Sequence, residues 1–231
     1  MKAGTLDRLL ADRRAKRSVA LVTRLEDGFA ALLHPGDRAA EGVPGEVVVE
    51  ALRALAKGQS LPFEQDEGTY FIRSFIPDPR MVIVGAVHIA QSLAEMARLA
   101  GFHVVVVDPR QAFARSDRFV GIEISTDWPG QALEELELDR RTAVVTLTHD
   151  PKLDDPALDA ALASPAFYIG SLGSKKTHRA RLERLASRGF AEADRERIRG
   201  PVGLSIGSVT PAEIAVSILA EVIGALRSGS S

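Results

Sequence analysis

Two apolar runs decide most of what this chain can fold into. Met-Val-Ile-Val at 81–84 and Val-Val-Val-Val at 104–107 are short, β-branched and bounded by turn residues, the composition of strands buried on both faces of a parallel sheet. Between them Ile89, Leu93, Met96 and Leu99 recur at helical spacing, and Gly101 stands where a helix C-cap is expected. The order is β-α-β. Gly85 closes the first strand at a turn that presents helix amides to a ligand, as in a phosphate-binding fold. Asp108 ends the second strand, about 20 residues on, where an acid can accept from ribose hydroxyls.

The turn departs from the dinucleotide fingerprint at one position. G-x-G-x-x-G/A is matched by Gly85 and Ala90, but Val87 replaces the middle glycine. That glycine lets backbone approach a pyrophosphate, and a β-branched side chain stands in the way. Two readings stay open on this motif alone: a nucleotide site, or a β-α-β unit that binds none.

Composition narrows the class. At 231 residues, 45% hydrophobic and 26% charged, the chain can bury the core of one full α/β domain and a smaller one. A net charge of −2 makes no case for nucleic acid. No apolar stretch approaches the roughly 18 residues of a membrane span, and no apolar segment follows the early Arg and Lys residues as in a secretory signal. A cytoplasmic location is the expectation. Without cysteine there is no disulfide, thiolate metal site or cysteine nucleophile. The five histidines lack any metal-binding spacing, so no metal site is expected. No G-x-S-x-G elbow is present either.

Taken in order, residues 5–16 predict a helix, 19–23 and 29–33 a pair of strands around Glu26-Asp27-Gly28, 44–57 a helix, and 69–76 a strand. Pro77-Asp78-Pro79 is a stiff connector, and the boundary is placed there. Residues 1–77 then form a small α+β domain and residues 78–231 the larger one. Beyond it strands are expected at 122–125, 142–147 and 166–169, with helices at 132–138, 156–163, from Lys175 to about Arg188, and from Thr210 to about Leu226. Thr210-Pro-Ala-Glu213 is a capping box with proline at the first helical position. Ser228–Ser231 reads as an unstructured tail. Alternating strands and helices predict an α/β fold, a Rossmann-like doubly wound parallel sheet preceded by the small α+β domain.

In such a sheet, ligands collect beyond the carboxyl ends of the strands. Four strand ends carry candidate groups: Gly85, Ala86 and His88; Asp108 and Arg110; His149 with Asp150; and Gly170, Ser171, Gly173, Ser174 and Lys175. His88 can donate to a phosphate, and Arg110 can clamp one or stack on a heterocycle. His149 either takes part in acid–base chemistry or starts the next turn. The Gly-Ser-Leu-Gly-Ser run is an anion cradle reinforced by Lys175 and Lys176, or a tight turn with a serine cap. Its lysine stands too close to the glycines for a Walker A loop. Residues 171–200 hold nine Lys/Arg against four Asp/Glu, and residues 121–160 ten Asp/Glu against three Lys/Arg. This asymmetry marks either a partner surface or solvated helix faces.

Several stretches together carry a family resemblance. They are Val-Ile-Val-Gly-Ala-Val-His-Ile-Ala at 82–90, Val-Val-Asp-Pro-Arg at 106–110, Thr-His-Asp at 148–150, Tyr-Ile-Gly-Ser-Leu-Gly-Ser-Lys-Lys at 168–176, and 203–221 from Gly-Leu-Ser-Ile-Gly to Leu-Ala-Glu. Residues 80–227 resemble the C-terminal domain of the XdhC/CoxI family, accessory proteins that mature molybdenum hydroxylases such as xanthine dehydrogenase and aerobic carbon monoxide dehydrogenase. The resemblance implies a chaperone that binds molybdenum cofactor, as molybdopterin or its dinucleotide, and helps its insertion and sulfuration without turnover of its own. It implies Gly85, Ala86 and His88 as a first phosphate turn flanked by Asp108 and Arg110. Gly170, Ser171, Gly173, Ser174 and Lys175 become a second anion site, with His149 near the metal-bearing end. Implied partners are an apo molybdenum hydroxylase, a cysteine desulfurase and a second copy of the chain. Family members usually read Gly-Ala-Gly-His where this chain has Val87, and its N-terminal half is reduced, lacking their Gly-Ser-Ser-Pro-Arg and Gly-Gly-Cys stretches. Two alternatives compete. One is an NAD(P)-dependent oxidoreductase with Asp108 on the ribose and His149 as acid–base. The other is an interaction subunit that binds no small ligand and docks through residues 171–200.

Overall fold

The computed structural model describes residues 3–66 and 68–228. The chain divides into two compact units between Pro77 and Asp78. In the first, α1 (Ala3–Arg14) precedes β1 (Val19–Arg24) and β2 (Ala30–Leu33), then come α2 (Gly45–Lys57), β3 (Leu61–Gln65) and β4 (Gly68–Phe75). The sheet is antiparallel in the order β2-β1-β4-β3. α2 lays Val47, Val48, Ala51, Ala54 and Leu55 onto Ala20, Val22, Tyr70 and Ile72 of the sheet, the stripe that its apolar spacing calls for. Strand β3 has no counterpart among the elements expected from sequence. Pro62 sits within it opposite Phe71, and a strand paired on one side only tolerates a residue with no N–H to donate.

The second unit holds a six-stranded parallel sheet. Its strands are β5 (Arg80–Val84), β6 (His103–Val107), β7 (Glu123–Ser125), β8 (Thr142–Thr146), β9 (Tyr168–Ser171) and β10 (Ile198–Arg199). They lie in the order β10-β9-β8-β5-β6-β7, and every neighbouring pair is parallel. The chain moves outward from β5 to β7, then returns to the other side of β5 and moves out again to β10. Strand order therefore reverses between β5 and β8, where a crevice opens at the carboxyl ends.

Period-two alternation splits the strands between two cores. Met81 and Ile83, with Val104, Val106, Ala143 and Val145, face α3 (His88–Leu99) and α8 (Pro211–Ser228). Val82, Val84, Val105, Val107, Val144 and Ile169 face the opposite cluster, to which α4 (Pro129–Glu135), α5 (Pro151–Ala163) and α6 (Lys175–Ser187) contribute. Full burial of each larger aliphatic side chain here contributes on the order of 2 kcal/mol. Small residues Ala90, Ala94 and Ala97 on α3 and Ala215 on α8 leave room for the two helices to pack closely.

Local chemistry sets the ends. Glu213 accepts from the Thr210 amide at 2.9 Å while the Thr210 hydroxyl accepts from the Glu213 amide at 3.3 Å, which is the reciprocal capping box read from the sequence. α5 starts at Pro151 and not at Pro156. Asp150 caps it by accepting from the Lys152 amide at 3.0 Å, and Pro156 lies inside the helix. Two elements, α7 (Glu192–Arg195) and β10, are too short to show any periodicity. Ser228 closes α8, and the rest of the expected tail, residues 229–231, lies outside the described residues.

Candidate functional site

Asp108 directly follows β6 and is wholly buried, and its carboxylate is saturated by its own chain. Oδ2 accepts from the Ala86 amide at 2.8 Å and from Arg110 Nη2 at 2.8 Å; Oδ1 accepts from the Arg110 amide and Nε, each at 2.9 Å. Burial opposes ionisation, yet these charge-assisted bonds outweigh it and hold the carboxyl below its usual value. Asp108 therefore ties the β6 end to the β5 turn. No lone pair is left facing solvent for a ribose hydroxyl, which removes the main residue of the oxidoreductase alternative. Arg110, still partly exposed, stacks over the Phe113 ring with its guanidinium carbon 4.5 Å from the centroid.

The fingerprint turn is tight and largely occupied. The Gly85 amide donates to Val107 O at 2.8 Å, and Ala86 donates to Asp108. Gly85 holds φ +107°, and a Cβ there would stand 2.5 Å from Thr148 Cγ2. Glycine is needed on both counts. Val87 adopts ordinary extended dihedrals as the N-cap of α3 and packs partly against the first core. No glycine is required at this position for the fold. Val87 and the exposed His88 line a cleft of about 440 Å³ with Phe113, Arg115 and Arg118.

His149 follows β8 in a left-handed conformation, φ +60°, and is exposed. Beside it, the Thr148 hydroxyl donates to Asp154 Oδ1 at 2.6 Å and accepts from the Asp150 amide at 3.0 Å. Asp154 is 2% exposed, and burial raises its carboxyl above the usual value despite that hydrogen bond.

At β9 the turn begins later than the sequence suggests. Gly170 and Ser171 are buried strand residues and not loop residues. Gly170 lies against Val202 and the Tyr168 ring, and the Ser171 hydroxyl is bonded to Thr146 Oγ1 at 2.5 Å. The reason is parallel pairing: β10 pairs with Ile169 and Gly170, and β8 carries the strand on through Ser171. The turn is Leu172 to Lys176, half-buried at Leu172 and Gly173 and exposed from Ser174 to Lys176. Ser174 caps α6 by accepting from the Thr177 amide at 3.1 Å, while Lys175 and Lys176 point into solvent without ion pairs among the described residues.

Sequence reasoning missed Arg181. It is 2% exposed, and Nη2 donates to Leu172 O at 2.8 Å. Nε and Nη1 are buried with no partner among the described residues. Its helical position among Lys175, Lys176, Arg179 and Arg184 makes it read as one more solvated base; only the inward register shared with Leu185 could have singled it out. The charge asymmetry is also partly internal. Arg184 makes a bidentate pair with Asp155 at 2.7 and 2.8 Å, and Arg188 pairs with Asp159. His88, His149 and Lys175 thus stand on three separate carboxyl-edge turns, and no bond joins them among the described residues.

This topology, with its reversal between β5 and β8 and its polar carboxyl edge, defines a Rossmann-type domain. The family described as the XdhC Rossmann domain matches residues 81–222, and the chain belongs to that family. A Bacillus subtilis protein named as a probable xanthine dehydrogenase component is 34% identical over 164 residues, 71% of this chain and 48% of that protein. A protein of Escherichia coli named molybdenum cofactor insertion chaperone PaoD is 33% identical over 150 residues, 64% of this chain and 40% of that one. The chain spans about half the length, or less, of these curated relatives. A crystal structure titled as a xanthine dehydrogenase from Bacillus halodurans superposes with a TM-score of 0.73 at 29% identity, covering 96% of this chain and 66% of that one.

Proposed function

We propose that this chain is an accessory factor that binds molybdenum cofactor and assists its insertion and sulfuration in a molybdenum hydroxylase of the xanthine dehydrogenase or carbon monoxide dehydrogenase type. Membership of the XdhC family supports this reading, as does the likeness to a protein named as a molybdenum cofactor insertion chaperone. The observation that carries it is the turn at the head of α6. Among the described residues, the amides of Gly173, Ser174 and Lys175 have no backbone or side-chain acceptor, and two lysines flank them. Such a turn suits the phosphate that ends the cofactor's pterin.

When bound, the cofactor supplies the molybdenum centre that a hydroxylase uses for oxidation. This chain's residues would hold the phosphate end at the Leu172–Lys176 turn, with Arg110 on the β6 turn and His149 on the β8 turn lying beside the rest of the cofactor. Asp108 would act through Ala86 and Arg110, not by touching the ligand. We also assign residues 1–77 as a reduced form of the family's N-terminal domain. The Bacillus halodurans structure covers more of the chain than the second unit alone. The apo-hydroxylase is the partner that this reading requires; a cysteine desulfurase and self-association are separate expectations, tested by pull-down and light scattering.

The test is to purify the chain from cells making molybdenum cofactor, oxidise a denatured sample and quantify fluorescent pterin per chain. Near-stoichiometric pterin is expected, with loss in a K175A/K176A variant. Pterin at background in the wild type overturns the carrier function.

A further inference from the structure

The two carboxyl-edge turns are not equivalent. At α3, the Gly85 and Ala86 amides are already spent on Val107 and Asp108. The Asp108 carboxylate sits directly beneath them, and Val87, packed partly against the first core, puts a branched side chain at the fingerprint's middle position. At α6, the amides of Gly173, Ser174, Lys175 and Lys176 all lack acceptors among the described residues. Beneath them lies Arg181.

Arg181 is an unusual group. Its guanidinium is almost wholly buried and makes no ion pair among the described residues; the facing carboxylate, Asp154, gives its Oδ1 to Thr148, while Asp155 pairs with Arg184 and Arg188. His178, on the same helix, and Arg184 are the other bases near it. Two of its donors, Nε and Nη1, find no acceptor among the described residues. A buried cation of this kind requires a compensating anion, either in contact or across a short span of low dielectric. The direction is given by Leu172. Its carbonyl points down to Arg181 Nη2, so across the trans peptide the Gly173 N–H points the opposite way, outward. Gly173 holds φ +141°, and a Cβ there would come 3.1 Å from Thr177 and 3.7 Å from Arg181 Nη2. The guanidinium thus turns the peptide and places a positive charge behind it.

We propose that the phosphate-gripping element of this domain is the Leu172–Lys176 turn, with Arg181 as its positioning residue, and that the fingerprint turn at α3 does not take the phosphate. This rests on the carrier reading for the identity of the ligand, a phosphate monoester, but not for the site.

The experiment is a titration of the full chain with inorganic phosphate, read by amide chemical shifts and by thermal melting. The Gly173, Ser174 and Lys175 amides should shift saturably while those of Val87 and His88 stay still, and the melting temperature should rise with phosphate. Arg181→Met should weaken phosphate at least tenfold, Arg181→Lys should restore part of it, and His88→Ala should leave it unchanged. Should Arg181→Met not fold, the wild-type shifts and the exposed Lys176→Glu variant decide. Saturable shifts at Val87 and His88 instead, with phosphate or with AMP, overturn the proposal, as does full affinity in Arg181→Met. Measuring pterin in parallel separates the two ideas. Pterin bound without phosphate effects at α6 sinks this proposal alone, and phosphate at α6 without pterin sinks only the carrier reading.

Discussion

Asp108 and Arg110, two residues apart, are joined by three hydrogen bonds of 2.8 to 2.9 Å, one from the arginine amide and two from its guanidinium. A fourth bond, from Ala86, brings the β5 turn into the same knot. Asp108→Asn removes the charge and replaces an acceptor by a donor facing other donors. It should cost about 2–3 kcal/mol of stability, measured by urea unfolding at pH 7.

The same carboxylate carries a pH signature. Its folded value lies below the ordinary one, so the unfolded chain binds the proton more readily. The stability that it contributes is present above about pH 4 and is lost as pH falls through the lowered folded value. Urea midpoints measured from pH 6 down to pH 3 should fall less steeply in Asp108→Asn than in the wild type.

Gly85→Ala should be among the most damaging small substitutions in the chain. It meets a positive φ and the Thr148 methyl at once, for an expected loss of about 2–3 kcal/mol. Thr148→Ser deletes that methyl. The double variant should therefore recover part of the loss, and a double-mutant cycle would show a coupling of about 1 kcal/mol.

Val87→Gly restores the dinucleotide fingerprint on paper. It should lower stability by about 1–2 kcal/mol, through lost packing and a looser unfolded chain. It should not create nicotinamide binding, because Asp108 stays buried and bonded. Titration with NADH, followed by its fluorescence, checks this; saturable binding in the variant would contradict the account.

Tyr168 donates to Glu221 at 2.6 Å, and the same carboxylate oxygen accepts from the Gly203 amide at 2.7 Å. Burial first, and then Glu221, pushes the phenol above its ordinary range. Tyr168→Phe should cost about 1–2 kcal/mol and should accelerate hydrogen exchange at Gly203.

Much of this architecture could be read directly. The four-valine run, the helical stripe of α3 and the capping box at Thr210 are local patterns, and each is found where its chemistry puts it. β3 and β10 were not legible, since Pro62 breaks one and the other is two residues long. The start of α5 was ambiguous because Pro151 and Pro156 both resemble a first helical position, and only the Asp150 side chain decides between them. At the site, sequence could mark which strand ends hold polar groups, but not which of these are free. Asp108 looks available until the guanidinium of Arg110 folds back onto it, and Ser171 until Thr146 is found beside it. Arg181 was invisible because burial of a base is a property of its neighbours, not of its own position in the chain.

The Asp155–Arg184 and Asp159–Arg188 pairs have a consequence for how this surface is met at a distance. Acids and bases that are segregated along the chain cancel in space on the flank of α5 and α6, leaving Lys175, Lys176 and Arg179 as exposed charges with no ion pair there among the described residues. With a screening length of about 8 Å in physiological salt, an approaching anionic body feels no broad attractive field. It is captured in the last nanometre, at the head of one helix, so encounter rates should be set by orientation and vary little with ionic strength.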